Sequence, residues 1–153
     1  MPSESPAHSA VLLDANVLLW AHHRQFRQHE QAREWLATTL TSTPVVGIPW
    51  PSVLAFLRIS THPRALERPL DLRTAWSAVD GWLKRPHVRT PAPTDAHADL
   101  LAEMLISGRA TADHTTDAHL AALAIEWGLV LVSADRDFAR YPGLRWHDPS
   151  DDW

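Results

Sequence analysis

Four aspartates stand where a folded chain could gather them into one acidic cluster. Asp14 ends the apolar run AVLLD, Asp117 opens the alanine- and leucine-rich segment DAHLAALAIEW, and Asp135 and Asp137 follow directly on the apolar run LVLVS. Carboxylates held close together repel, and desolvation adds to that cost unless protons or cations compensate. Mg²⁺ or Mn²⁺ is the natural compensator, because hard ions take oxygen ligands, retain water and commonly act on phosphate esters. The chemistry implied is hydrolysis of a phosphodiester by a water that the ion activates. Asn16 and Ser133 flank the same points and are candidates to support them. Taken singly, each residue also has a structural use. Asp14 can start a turn, Asp117 can place a favourable charge at a helix N-terminus, Asp135 and Asp137 can serve as a loop residue and a cap, and Asn16 and Ser133 can satisfy local backbone groups. Their joint placement favours the functional reading.

That placement rests on the elements. Residues 10–14 and 129–133 are short, continuously apolar runs, as strands buried on both faces are. VVGIP at 45–49 reads as a further strand ended by prolines. Helical spacing of apolar residues predicts helices from Ala15 onward, over 29–40 with Ala32, Trp35, Leu36 and Leu40 inward, after Pro51 with Val53, Leu54 and Leu57, and over 71–84. HVRTPAP at 87–93 reads as extended, and DAHADLLAEMLISG as a helix closed by Gly108. The last helix, 117–127, is apolar on nearly all sides and capped by Gly128. Helix, glycine, apolar strand and acidic loop in that order imply an α/β fold with parallel strands. In such sheets ligands bind beyond the carboxyl ends of the strands, which is where Asp14, Asp135 and Asp137 fall, and Asp117 could project toward the same edge.

Composition narrows the rest. A chain of 153 residues matches one domain, read here as a flexible leader at 1–9, a domain at 10–149 and a C-terminal tail at 150–153. There is no cysteine, hence no disulfide and no thiolate metal site, and the default compartment is cytoplasmic. The start lacks the basic and apolar regions of a secretory signal, and no apolar run approaches the roughly 20 residues that span a bilayer. A net charge of −4 excludes a global pull toward nucleic acid, so any such contact is local. Arg58, Arg109, Arg136 and Arg140 lie near the edge segments and are candidates for phosphates, although solvated arginine is the commoner case.

Three stretches carry a resemblance to a known family: VLLDANVLLW near the start, FLRISTHPR in the middle, and TDAHLAALAIEWGLVLVSADRDFARYPGLRWHDP near the end. Over about residues 11–149 the chain resembles PIN-domain ribonucleases of the VapC toxin type, from bacterial toxin–antitoxin pairs. The resemblance implies a PIN-like α/β/α sandwich with a central parallel sheet, and an endoribonuclease dependent on Mg²⁺ or Mn²⁺. It also implies an RNA substrate, a cognate antitoxin that silences the enzyme, and a homodimer. It assigns metal binding and catalysis to Asp14, Asp117 and Asp135, support to Asp137, and to Asn16 and Ser133 the holding of substrate or of a water on the metal. One departure stands out. The family commonly carries a glutamate just before its FLR-like segment, and here Val53 falls at that position, with no carboxylate anywhere from Trp35 to Leu66. The resemblance then leaves room for weak binding of one metal, for recruitment of Asp113 or another acid, or for lost activity, so the alternative is a catalytically weakened PIN-like module that binds RNA or protein.

Other classes fit less well. Haloacid-dehalogenase phosphatases need an aspartate two residues after the first, where Asn16 stands. No GxxxxGK[ST] loop is present to cradle nucleotide phosphates, and the Asp135/Asp137 loop lacks the glycine and glutamate of a calcium loop. Ten histidines include no zinc spacing, so His22, His23, His114 and His119 read as surface or helix-lining residues. Trp35, Trp76 and Trp82 are candidates for a dimer or antitoxin contact as well as for the core.

Overall fold

The computed structural model describes residues 9–153, so all of the leader but Ser9 lies outside the described residues. Five short strands, β1 (Val11–Leu13), β2 (Val46–Gly47), β3 (Val88–Arg89), β4 (Val130–Val132) and β5 (Trp146–His147), form one sheet in the order β3-β2-β1-β4-β5, with every pairing parallel. The two apolar runs singled out in the sequence are direct neighbours, with Leu12 opposite Leu131 and Leu13 opposite Val132. Strand alternation divides their side chains between two cores. Val11, Leu13 and Val132 face a layer made by α1 (Ala15–His22), α2 (His29–Ser42), α3 (Trp50–Ser60) and α4 (Leu72–Leu83). Leu12 and Leu131 face α5 (His97–Ser107) and α6 (Thr115–Trp127). The result is an α/β/α sandwich. Each fully buried leucine of the central strands contributes on the order of 1.5–3 kcal/mol through its lost apolar surface.

Two details refine the sequence reading. Gly108 caps α5, yet its backbone is right-handed (φ −77°), and Arg109 is the residue with positive φ, at 51°. Glycine is required at 108 for space, since a Cβ there would lie 2.7 Å from the Tyr141 ring. The C-terminal residues form a 3-10 turn, Pro149–Asp152, that docks on the first helical layer. Asp152 accepts from Trp35 Nε1 at 3.0 Å, and the Trp153 ring meets that of Trp20 edge-on.

His23 is a buried polar link in the first core. Its Nε2 lies 2.8 Å from Ser60 Oγ and its ring stacks on Phe56. Burial first, then the neighbouring His22 and His29, push the imidazole down to about 4. The unfolded chain therefore takes up a proton near the ordinary histidine value while the folded chain refuses it. Stability is present above pH 6.5 and falls as pH drops toward 4, by about 2–3 kcal/mol for this group. Urea denaturation across that range should show the loss, and His23→Gln should flatten the slope by nearly one proton.

Candidate active site

β1 stops at Leu13 because Asp14 turns the chain into α1. The Asp14 side chain accepts from the Ala15 N–H at 2.8 Å, and its own N–H is bonded to Val132 O of β4 at 3.0 Å. β4 likewise stops where Ser133 and Asp135 begin. Asp135 caps a 3-10 turn (Arg136–Arg140) by accepting from the Asp137 N–H at 2.9 Å. Asp117 lies in the first turn of α6, which begins two residues earlier than the sequence suggests.

Ser133 is the hub. Fully buried, it donates to Asp14 Oδ2 at 2.7 Å and accepts from Asn16 Nδ2 at 3.0 Å and from the Asp135 N–H at 3.1 Å. A hydroxyl has one proton and two lone pairs, and all three are used. Ser133 therefore fixes Asp14 rather than reaching a water or substrate itself. Asn16 completes the ring by accepting from the Ala134 N–H at 3.4 Å, and Trp146 Nε1 holds the Ser133 carbonyl at 2.9 Å.

Asp14 and Asp117 carry the effect of burial and of their acidic neighbours. Burial pushes the Asp14 carboxyl above its ordinary range, its bonds to Ser133 and Ala15 pull it back, and the Asp135 charge raises it further. Asp117 is pushed up to about 6, by burial first and then by the charges of Asp14, Asp135 and Asp137, with His114 opposing. The four side chains offer only oxygen donors, which fits a hard divalent cation in ligand type. Among the described residues no three histidine, aspartate or glutamate side chains already form a ready-made ion site. Asp113 is exposed and bonded to none of the four.

Two residues were not legible as part of this edge. His114 places Nε2 3.2 Å from Asp137 Oδ2 while Nδ1 meets Thr111, and Tyr141 donates to the His114 carbonyl at 3.2 Å. Burial and then the Asp117 charge push the Tyr141 phenol up to about 12. The T-x-x-H capping pattern of Thr111 and His114 was the available signal. Of the arginines, Arg140 lies 3.8 Å from Asp137 and bonds the Arg109 carbonyl, and Arg136 lies 3.8 Å from Asp148. Arg58 is exposed on α3 and makes no ion pair among the described residues. Val53 does not line the site. It is fully buried in the first core, and the α3 residues that border the cleft toward α6 are Pro51, Leu54, Ala55 and Arg58, none of them acidic.

A parallel five-stranded sandwich with aspartates at the carboxyl edge of its central strands defines the class. The PIN domain model matches residues 11–144, and the chain belongs to that family. Among its relatives, Ribonuclease VapC37 of Mycobacterium tuberculosis is 41% identical over 138 residues, covering 90% of this chain and 96% of that protein. Ribonuclease VapC33 of the same species is 38% identical over 140 residues, covering 91% and 97%. In solved structures the fold is shared with the DNA-bound VapBC of Salmonella typhimurium, at a TM-score of 0.64 and 22% identity over 92% of this chain and 98% of that one. It is shared equally with VapBC2 of Rickettsia felis bound to a promoter DNA fragment, at 0.64 and 15% over 90% and 97%.

Proposed function

We propose that this chain is a divalent-metal-dependent endoribonuclease and the toxin of a toxin–antitoxin pair. The observation that carries the reading is the placement of Asp14, Asp135 and Asp137 where β1 and β4 end, with Asp117 in the first turn of α6, in a chain whose relatives are named ribonucleases. Mg²⁺ or Mn²⁺ would be held by Asp14, Asp117 and Asp135, with Asp137 in support. When bound, such an ion supplies charge stabilisation at the phosphate and makes water a stronger nucleophile. The protein's own groups do the positioning. Ser133 and Asn16 lock the Asp14 carboxylate in one rotamer, and His114 holds Asp137 against the helix that carries Asp117.

The absence of a carboxylate on the cleft side of α3 favours one second reading, a module that binds RNA without cutting it. Total cellular RNA incubated with the purified protein in Mn²⁺, Mg²⁺ or EDTA, beside an Asp14→Asn/Asp117→Asn variant, separates the two. Metal-dependent cleavage lost in the variant is expected; intact RNA in every lane would sink the nuclease and leave the module. As a toxin the protein should arrest growth when expressed alone and be relieved by its cognate antitoxin. Exposed Leu72 and Trp76 on α4 and Trp50 and Leu54 on α3 offer apolar surface for that partner or for a homodimer mate. No helix among the described residues is long and apolar enough to cross a membrane.

A further inference from the structure

Both backbone groups of Ser133, the hub of the acidic edge, are held by one neighbour. Its N–H donates to His147 O at 3.1 Å and its carbonyl accepts from Trp146 Nε1 at 2.9 Å, so the end of β4 is only as well placed as β5 beside it. By itself β5 is a poor anchor. It has two residues, lies at the edge of the sheet and pairs only with β4, Trp146 opposite Leu131 and His147 opposite Val132. A pairing this short is marginal without support from outside the sheet.

That support comes from Asp152. Its Oδ2 accepts from Trp35 Nε1 of α2 at 3.0 Å and lies 2.8 Å from His147 Nε2 of β5. An indole N–H can only donate, so Asp152 is the acceptor there. One carboxylate oxygen thus joins the edge strand to the first helical layer. The turn that brings it into place is built locally. Asp148, buried, accepts from the Ser150 N–H at 2.9 Å and from Ser150 Oγ at 2.7 Å, which winds Pro149–Asp152 into its 3-10 turn directly behind β5.

We infer that Asp152 is a positioning residue for the acidic edge. By pinning His147 to α2 it holds β5 against β4, and β5 in turn holds Ser133, whose hydroxyl fixes Asp14. The consequence for metal and RNA rests on the ribonuclease reading above; the consequence for Ser133 does not.

Amide hydrogen exchange followed by NMR and Mn²⁺ affinity followed by thermal shift test the two parts separately. In metal-free Asp152→Ala the Ser133 N–H should exchange about tenfold faster than in the wild type. The Val46 N–H, bonded to His87 O on the other side of β1, should keep its rate. Asp152→Asn, which keeps an acceptor for Trp35, should restore most of the protection. Trp35→Phe, which loses the donor but keeps a ring, should reproduce part of the loss and carries the same comparison where Asp152→Ala does not fold. Apparent affinity for Mn²⁺ should weaken about tenfold in Asp152→Ala. Equal acceleration at Ser133 and Val46, or none at either, overturns the inference, as does a faster Ser133 with unchanged affinity in a protein that binds Mn²⁺. A wild type that neither binds Mn²⁺ nor cleaves RNA, while Ser133 responds as expected, overturns the ribonuclease reading and leaves the clamp.

Discussion

Asp117→Asn is expected to act in opposite directions on activity and on stability. Removing one of the three carboxylates proposed to hold the ion should lower RNA cleavage by about 10²–10³ fold. The same change should make the metal-free protein more stable at pH 7.5, because Asp117 is ionised there against burial and three like charges. A carboxyl raised from 3.8 to about 6 is the reverse of a stabilising salt bridge: the folded state binds its proton more tightly than the unfolded state, so stability declines as pH rises through that window. The full shift corresponds to about 3 kcal/mol, and solvent around a half-buried group reduces this to about 1–2 kcal/mol. For a chain of this size that is a rise of roughly 3–6 °C in Tm. Differential scanning fluorimetry in EDTA reads it directly. Mn²⁺ should raise the Tm of the wild type by mass action and leave the variant nearly unmoved. A variant less stable than the wild type in EDTA would mean that the cluster is not under electrostatic load.

Ser133→Ala should be costly without touching a carboxylate. The substitution strands Asp14 Oδ2, the Asn16 amide and the Asp135 N–H, all of which meet at the one hydroxyl. Losing a buried hub of this kind costs on the order of 2 kcal/mol of stability. Freed from its anchor, Asp14 should sample other rotamers, and cleavage should fall by about 10–100 fold, in line with the loss of a group that orients a metal ligand. Apparent affinity for Mn²⁺, measured by thermal shift, should weaken in parallel. Activity that survives with unchanged Mn²⁺ dependence would show that Asp14 keeps its orientation without help.

Much of this site is legible in the sequence because parallel sheets put chemistry at strand ends. The runs AVLLD and LVLVS are apolar up to their last residues, as strands buried on both faces must be. Their terminal polar residues therefore mark the edge of the sheet. Gly128 is equally clear, since it takes the left-handed cap (φ 67°) that only glycine adopts freely. Strand β5 is not legible, because two residues carry no periodicity. The role of Ser133 is hidden for a different reason. It depends on what lies across a gap of 119 positions, and spacing along a helix or strand says nothing of that. Val53 shows the converse. Its position in the family pattern implies a place in the site, whereas helical phase turns the side chain into the core.

The bond between Ser133 and Asp14 joins residues 119 positions apart. Strand β1 leaves the ribosome early, but the neighbour that completes its carboxyl edge is made long afterwards. Contacts of such long range form only once the intervening chain is available to close the loop. A growing polypeptide, or one released before β4, thus carries Asp14 without its anchor and without Asp135. The enzyme should be harmless to its own translating ribosome until β4 has emerged, a delay written into the order of the strands.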